Sequence, residues 1–561
     1  MDLASLQRTS WAGGRLLAFS GLDGATRYDI GLVARTAAGA PAIEVMLPGE
    51  ARLEFPAAGL AEVTLAGDWF SFFTTAGRVR GAFLDACHLL LDGPCELRGA
   101  SPAVAVQTAG SRTLVGSATA FDSERIGADL EAALAARQRW LRELPVPDAG
   151  SAAARRTLAL ALSVMKVQCC TPEGRMRHRW TTPDRWPHRG MWLWDSVFHA
   201  IGWRHFDPAL AREMIDAVFD HQAADGRIPH AMTPAGASEI TQPPVLAFGV
   251  QQVLDAEPRP DWLAALYPRL AAYVQWDLAN RDTDGAGLAE WFIEGNPMCR
   301  SGESGMDNSP RFDTATQLDA VDFNSFLALE CETLAGFARQ LGRPAEARNW
   351  EERHAVLCRL IRERLWSEAH RFFVDYDVTA GAPSPVLASS GFLPLICGAA
   401  TPEQAQELAR HLADPATFGT PLPVPSVAAG DTAHYAKDMW RGPVWVNLNW
   451  LIAMGFERYG LAAAAAGLRA RTRAEIERCC ERYGTFFEFY DDRGEVEPPR
   501  LLRKGRCAPE VSPYLQVVHD YGWTTTLYAD LVCREGKNRG MCQPGPEVGL
   551  CPKPRSRNSV P

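Results

Sequence analysis

The chain has 561 residues, of which 47% are hydrophobic and 22% are charged. This composition is typical of a globular protein and excludes a disordered or collagen-like chain. The formal net charge is −10, and the lack of a basic excess disfavours a protein that binds nucleic acid.

The beginning of the sequence has no basic segment followed by an apolar one, so we predict no signal peptide. No stretch of 18 to 20 residues is apolar enough to predict a membrane span, so no membrane partner is expected. The 14 cysteines are scattered and none shows CxxC spacing. This pattern favours reduced thiols in a cytoplasmic protein over a zinc site or a disulfide framework.

Residues 1–121 consist of short alternating runs separated by Gly, Pro and Asp turns, such as residues 62–73 (EVTLAGDWFSFF). This pattern predicts an N-terminal β-rich domain that resembles a β-sandwich. Residues 122–150 are predicted to connect this domain to the rest, with a helix over 122–143 followed by a linker rich in Pro and Gly.

Residues 151–533 show helical periodicity with no fixed repeat of 34 or 40 residues, which argues against a regular solenoid. Twelve irregular helices over this length predict an (α/α)6 toroid barrel. The predicted helices are 151–170, 195–205, 207–223, 243–255, 259–281, 315–342, 344–366, 388–399, 402–413, 443–459, 460–483 and 522–534. Residues 534–561 lose this periodicity and are predicted to form a disordered tail.

Tryptophan is unusually frequent, with 17 residues against 11 tyrosines. Five of them lie between residues 180 and 203, and others recur in loops together with Arg and carboxylates. Four such segments and a short fifth one stand out. They are residues 186–199, 303–312, 438–447, 486–492 and 520–524.

A pocket of Trp, Arg and carboxylates suits a sugar, because the ring has apolar CH faces and a polar hydroxyl edge. Hydrolysis of a glycosidic bond needs one carboxylic acid to protonate the leaving oxygen and one carboxylate to activate water or attack carbon. Asp307 in a Gly-rich loop and Glu488 in the aromatic run FFEFY are the candidates. Taken alone, Asp307 could equally be a turn residue, Glu488 a solvent-facing residue and the tryptophans core residues.

Taken together, the segments resemble the trehalase-like (α/α)6 glycoside hydrolases of families 37 and 63. Within these families they most resemble the branch with bacterial α-glucosidases and mannosylglycerate or glucosylglycerate hydrolases. Six motifs carry the resemblance, in the order of the family. They are residues 189–196 (RGMWLWDS), 226–230 (GRIPH), 242–244 (QPP), 303–311 (ESGMDNSPR), 440–445 (WRGPVW) and 521–524 (YGWT).

The resemblance implies an inverting hydrolase in which Asp307 is the general acid and Glu488 is the general base. An inverting pair is expected to hold its carboxyl groups about 6.5–9.5 Å apart. The resemblance also implies a small carbohydrate as the substrate, without a cofactor or a catalytic metal. The residues expected to bind that substrate are Arg189, Trp194, Asp195, His230, Gln242, Glu303, Arg311, Trp440, Arg441, Trp445 and Trp523.

The sequence departs from the trehalases in two places. Residues 495–510 (EVEPPRLLRKGRCAPE) replace a Gly-rich stretch, and the N-terminal β-rich domain is not part of a minimal trehalase. We therefore expect an exo-acting α-glycosidase that removes a terminal α-glucosyl or α-mannosyl group from an oligosaccharide or a glycosylglycerate. Trehalase is an alternative.

Two further classes remain open. A phosphorylase on the same barrel would replace the base with a phosphate pocket, and an epimerase would use a pair of histidines drawn from His188, His199 and His230. A non-catalytic carbohydrate-binding scaffold is disfavoured because both candidate catalytic carboxylates are present. The sequence leaves the sugar, the aglycone and the oligomeric state open.

Overall fold

The computed structural model describes residues 1–541, apart from residues 39–40, 297 and 506–516. Most of the predicted disordered tail, residues 542–561, lies outside the described residues. The last helix, Gly522–Met541, continues beyond residue 534, where the prediction ended it. An ion pair one helical turn apart, with Arg534 Nε 2.7 Å from Asp530 Oδ2, supports the helix at the predicted end.

The N-terminal region folds into two antiparallel sheets. The seven-stranded sheet has the order β1-β6-β7-β8-β9-β12-β11, and the five-stranded sheet has the order β10-β5-β4-β3-β2. The strands are β1 Gln7–Arg8, β2 Leu16–Ala18, β3 Val33–Ala38, β4 Ala42–Met46, β5 Arg52–Pro56, β6 Ala61–Leu65, β7 Trp69–Thr74, β8 Gly77–Asp85, β9 His88–Asp92, β10 Glu96–Arg98, β11 Val104–Ala109 and β12 Arg112–Ser117.

Inward-facing side chains from both sheets form one core. Val45 and Phe55 of the smaller sheet and Phe70, Phe72 and Leu89 of the larger sheet belong to the same buried cluster. Strand β5 shows why, since its burial alternates between exposed and buried positions along the chain. The predicted β-sandwich-like fold of this region is confirmed.

The connecting helix is shorter than predicted. A 3-10 turn at Ser123–Gly127 precedes helix α1, Leu130–Glu143, instead of one continuous helix from residue 122. The chain breaks between them because the Asp129 side chain accepts a hydrogen bond from the Ala132 amide and so caps a new helix. Helix α1 lies against the larger sheet, where Arg137 donates to the carbonyl oxygen of Phe83 at 3.0 Å.

The rest of the chain alternates between an outer and an inner ring of helical segments. The outer helices are α2 Ala152–Gln168, α4 Pro208–Phe219, α6 Pro260–Asn280, α8 Pro344–Arg364, α9 Pro402–Ala413 and α11 Ala462–Tyr483. The inner segments are α3 Leu193–Trp203, α5 Leu246–Leu254, α7 Val321–Gln340, a 3-10 helix at Ser389–Leu395, α10 Val446–Arg458 and α12 Gly522–Met541.

Each inner segment packs on the next, and contacts between α12 and α3 close the ring. Every residue of α3 is buried, whereas α8 buries one face. An all-buried helix and an amphipathic one are what an inner and an outer ring require. The predicted (α/α)6 barrel is confirmed.

Short strands pair in the loops of the barrel. They are β13 Cys169–Cys170, β14 Trp180–Thr181, β15 Met191–Trp192, β16 Ala231–Met232, β17 Leu318–Asp319, β18 Trp366–Ser367, β19 Phe372–Phe373, β20 Tyr376–Asp377 and β21 Ala382–Pro383.

The fourth inner segment differs from its prediction. Residues 388–399 were expected to form an α-helix, but the structure has the 3-10 helix Ser389–Leu395 there. Pro394 lies inside this segment, and proline lacks the amide hydrogen and the space that an α-helix interior needs. The 3-10 helix still completes the inner ring, because it packs on both α7 and α10.

The β-rich region and the barrel are joined by buried ion pairs and hydrogen bonds. Arg15 Nε lies 2.7 Å from Asp520 Oδ2, with both side chains almost fully buried. Lys166 of α2 lies 2.5 Å from Asp68. Arg185 donates to the carbonyl oxygen of Phe19 at 2.6 Å. Because Asp520 and Arg185 belong to barrel loops, the β-rich region helps to fix those loops.

Over the part of the chain that the structure describes, none of the helices has the length and apolar character needed to cross a membrane.

Candidate active site

The candidate site is a cavity of about 70 Å³ inside the ring of helices. Its lining comes from the loops that precede the inner helices and from the first turns of those helices. This arrangement brings together segments that are far apart in the sequence. The lining residues are Pro183, His188, Trp192, Trp194, Asp195, Gln242, Gly305, Asp307, Met439, Trp445, Glu488, Arg503, Tyr521 and Trp523.

Asp307 reaches the cavity from the loop between α6 and α7. Its backbone carbonyl oxygen accepts a hydrogen bond from the Arg300 amide at 2.7 Å, which fixes the loop. Its carboxylate oxygen Oδ2 lies 2.6 Å from Nζ of Lys504, and the Asp307 side chain is 22% exposed. The candidate acid is therefore open to a ligand and is paired with an ammonium group.

The loop that carries Asp307 depends on a glycine. Gly305 has φ = 68°, and a Cβ atom at this position would lie 2.5 Å from the Trp194 ring. Only glycine adopts this conformation freely and allows the backbone to lie against the indole.

We expect Gly305→Ala to destabilise the protein by at least about 1–3 kcal/mol, the usual cost of a strained backbone position, with the steric clash added. Gly494→Ala is a matched control, because Gly494 has φ = 70° but no atom lies within 4 Å of its Cβ position. Urea unfolding of both variants measures the effect. Equal losses of stability would contradict the proposed contact with Trp194.

Glu488 reaches the cavity from the segment between α11 and α12. Its amide donates to the carbonyl oxygen of Val518 at 2.9 Å, which holds the segment against the start of the last inner helix. Its carboxylate binds Arg503 with both oxygens, at 2.7 Å from Nε and 3.1 Å from Nη2. Burial lowers the pKa of Arg503, but the charge of Glu488 and its hydrogen bonds outweigh burial and raise that pKa.

The walls of the cavity are aromatic. The Trp194 and Trp523 rings meet edge to face at 5.3 Å, and Trp445 lies 5.6 Å from Trp523. Trp440 stacks on Trp445 at 3.8 Å with the rings parallel, so it supports the wall from behind without lining the cavity. Flat apolar walls of this kind suit the CH face of a pyranose.

Asp195 and Gln242 supply polar groups to the same cavity. Asp195 is buried and accepts a hydrogen bond from the Tyr521 hydroxyl at 3.4 Å. Burial raises the pKa of Asp195 well above its usual range, and the nearby charges of Asp184 and Glu488 add to this effect. Gln242 accepts a hydrogen bond from the Trp194 amide at 3.1 Å. Both side chains line the cavity.

Three predicted binding residues are occupied by protein partners and do not line the cavity. Arg311 is buried between Asp322 and Asp375, at 2.7 and 3.0 Å. Arg189 donates to backbone carbonyl oxygens of the β-rich region, including that of Gly31 at 3.2 Å. Arg441 binds Asp313 with both Nη atoms. These arginines hold the loops of the site, and their placement differs from the predicted contact with substrate.

Glu303 and His230 also lie outside the cavity lining. Glu303 is buried, its carboxylate lies 2.6 Å from Arg281, and it accepts a hydrogen bond from the Phe292 amide. His230 is hydrogen bonded to Ser238 at 2.5 Å, and burial lowers its pKa to about 4. Because their polar atoms are engaged, both residues brace the loops around Asp307 and Gln242.

The structure brings in residues that the motifs did not select. Arg503 and Lys504 belong to residues 495–510, the segment that departs from the trehalases, and each pairs with one candidate catalytic carboxylate. His188 lines the cavity and lies 2.5 Å from Asp184. His199 was a second candidate histidine for the epimerase alternative. It is buried, is hydrogen bonded to Thr181 at 2.6 Å and does not line the cavity. The sequence analysis noted 495–510 only as a departure from the trehalases, and the basic character of this segment is the one signal there for Arg503 and Lys504.

Carboxylates that could approach one metal ion occur elsewhere. Among the described residues, Asp282, Asp284 and Glu290 place oxygen atoms within 4.8 Å of one another in the loop after α6. None of the three lines the cavity. Acidic groups of this kind are common in proteins without an ion.

Comparison with known proteins agrees with this geometry. The profile of the mannosylglycerate hydrolase MGH1-like glycoside hydrolase domain matches residues 187–524. The mannosylglycerate hydrolase of Thermus thermophilus is 29% identical over 403 residues, which are 56% of this chain and 92% of that protein. The glucosylglycerate hydrolase of Mycolicibacterium hassiacum is 24% identical over 55% of this chain and 87% of its own.

A solved structure supports the same relationship. The family 63 mannosylglycerate hydrolase of Thermus thermophilus, in complex with glucose, superposes with a TM-score of 0.54 and 28% identity, over 66% of this chain and 98% of that one. The profile match covers every residue that lines the cavity except Pro183. The chain belongs to the family of mannosylglycerate hydrolase MGH1-like glycoside hydrolases and is an enzyme that hydrolyses glycosidic bonds.

Proposed function

We propose that this glycoside hydrolase removes a terminal α-mannosyl or α-glucosyl group from glycerate, with inversion at the anomeric carbon. The observation that carries the proposal is one Trp-walled cavity with two carboxylates, Asp307 and Glu488, each paired with its own cation. The relatives named as mannosylglycerate and glucosylglycerate hydrolases support glycerate as the aglycone. A related structure that holds Tris and D-glycerate supports it as well.

In the proposed mechanism, the sugar ring stacks on Trp194, Trp445 and Trp523. Asp307 gives a proton to the glycosidic oxygen as its bond to the anomeric carbon breaks. Glu488 takes a proton from a water molecule that attacks the anomeric carbon from the opposite face.

Arg503 keeps the Glu488 carboxylate in one orientation, because a guanidinium group binds both carboxylate oxygens in a fixed plane. Asp195 and Gln242 bind ring hydroxyls. We propose a carboxyl separation of about 6.5–9.5 Å, which leaves room for the water.

Proton NMR of the first product tests the proposal. The purified protein is mixed with α-mannosylglycerate, α-glucosylglycerate, trehalose or α-linked disaccharides, with and without inorganic phosphate. We expect the β-anomer of the free sugar to appear first from a glycosylglycerate, at a rate that phosphate does not change. An α-anomer, a sugar phosphate or a preference for trehalose would contradict the proposal.

We also propose that the protein works in the cytoplasm. Eleven cysteines in the described part of the chain are free thiols, and most of them are buried. Unpaired cysteines in this number favour a reducing compartment.

A further inference from the structure

Lys504 makes an ion pair that the proposed reaction has to break. Its Nζ atom lies 2.6 Å from Oδ2 of Asp307, and the two side chains are 21% and 22% exposed. An ammonium group pairs with an ionised carboxylate, whereas a general acid has to carry a proton when the leaving oxygen departs. The proposed reaction therefore requires Lys504 to leave Asp307 before the leaving oxygen departs.

Arg503, the cation that lines the cavity, cannot take over the role of Lys504. Arg503 uses Nε and Nη2 for the Glu488 carboxylate, and its Nη2 also lies 3.4 Å from His188 Nε2. Its side chain is 11% exposed. Of the two cations that contact the candidate catalytic carboxylates, Arg503 lines the cavity, whereas Lys504 lies against Asp307 outside the lining and has the more exposed side chain, at 21%.

The backbone around Lys504 is fixed on both sides. The Leu502 amide donates to the carbonyl oxygen of Lys437 at 3.0 Å, and the Gly505 amide donates to Asp438 Oδ2 at 2.9 Å. Lys504 itself has φ = 55°, a left-handed conformation that is costly for a residue with a side chain. A change of partner by the ammonium group therefore needs rotation of the flexible lysine side chain alone.

We propose that Lys504 recognises a carboxylate on the leaving group and moves from Asp307 to this carboxylate when the substrate binds. This inference rests on the proposed function, because it assumes that Asp307 is the acid. Once Lys504 has changed partner, Asp307 takes a proton from solvent and passes it to the glycosidic oxygen. The charges still balance, since Arg503 faces Glu488 and Lys504 faces the substrate carboxylate.

The proposal predicts that the charge of the aglycone controls the rate. An uncharged aglycone leaves Lys504 on Asp307, so wild-type enzyme should hydrolyse it slowly. An anionic aglycone without Lys504 would place an unpaired carboxylate in the cavity, which costs binding energy. Lys504 would then set specificity at a position where the chain departs from the trehalases, whose leaving group is a neutral sugar.

The test compares α-mannosylglycerate with its uncharged counterpart, α-mannosylglycerol, on wild type and Lys504→Met. We expect kcat/KM of the variant on the glycerate compound to fall at least about 10-fold, the value of a hydrogen bond to a charged group. On the glycerol compound it should stay equal or rise. Lys504→Arg should recover part of the loss, and Arg500→Gln, which removes a positive charge from the same segment, should change neither rate.

Three results would overturn the inference. An equal loss on both compounds would mean that Lys504 only positions Asp307, and no loss on the glycerate compound would mean that another group binds the carboxylate. The third result comes from titration calorimetry with D-glycerate. Equal affinities of wild type and Lys504→Met for D-glycerate would exclude a contact between Lys504 and the glycerate carboxylate. If wild type hydrolyses neither compound, the proposed function fails, while the D-glycerate titration still decides the role of Lys504.

Discussion

Replacing Asp307 with Asn should lower kcat on a glycosylglycerate by at least about 10²-fold, the low end of what a positioned general acid contributes. The amide has nearly the same shape as the carboxylate, so it keeps the loop that Gly305 and the Arg300 hydrogen bond hold in place. It cannot protonate the glycosidic oxygen. Steady-state kinetics measure the loss, and KM should change much less than kcat because the sugar still meets the tryptophan walls.

The leaving group distinguishes loss of the acid from general damage. A 4-nitrophenyl α-glycoside or a glycosyl fluoride departs without a proton, so Asp307→Asn should lose far less activity on such a substrate. Asp284→Asn is the control for a neutralised loop carboxylate outside the cavity and should leave both rates unchanged. Near-normal turnover of a glycosylglycerate by Asp307→Asn would reject the assignment.

Replacing Glu488 with Gln should lower kcat by about 10²- to 10⁴-fold on every substrate, including those with a good leaving group. The attacking water needs a base whatever group departs, which separates this variant from Asp307→Asn. Removing the charge also leaves the buried Arg503 guanidinium without its ionic partner, and breaking a buried pair in this way typically costs about 3–5 kcal/mol. We therefore expect a lower Tm for Glu488→Gln than for wild type, which a thermal-unfolding measurement beside the kinetics checks.

A small nucleophile provides the decisive control for Glu488. Azide ion attacks carbon without losing a proton, so it needs no base. Added to Glu488→Ala, azide should restore turnover and give the β-glycosyl azide from an α-glycoside, because it occupies the space of the lost carboxylate. Glu368→Gln, a change of an exposed glutamate outside the cavity, should keep normal activity and respond to no azide. Formation of an α-glycosyl azide would contradict the inverting mechanism.

Much of the fold could be predicted from local patterns. The short alternating runs of residues 1–121 were sufficient for the strands. Helix α9 begins at residue 402 as predicted, because the Thr401 side chain accepts a hydrogen bond from the Gln404 amide. Predictions failed where one residue interrupted the pattern, as Pro394 does in the fourth inner segment and Asp129 before α1. Pro394 removes a backbone hydrogen bond of an α-helix, and Asp129 adds a capping hydrogen bond that starts a new helix. Each local effect outweighs the hydrophobic periodicity on which the prediction was based.

The sequence by itself determined the β-sandwich-like region, the double ring of helices and the segments that hold Trp194, Asp307 and Glu488, because each depends on short-range periodicity or on a motif. Only the tertiary structure decided which charged side chains face the cavity. Arg189 and Arg311 stood in motifs, but Arg189 donates to backbone carbonyl oxygens and Arg311 pairs with buried aspartates. Their partners come from distant segments, and a charged side chain becomes a support or a binding group according to those partners. For the same reason Lys504, which no motif selected, lies against Asp307.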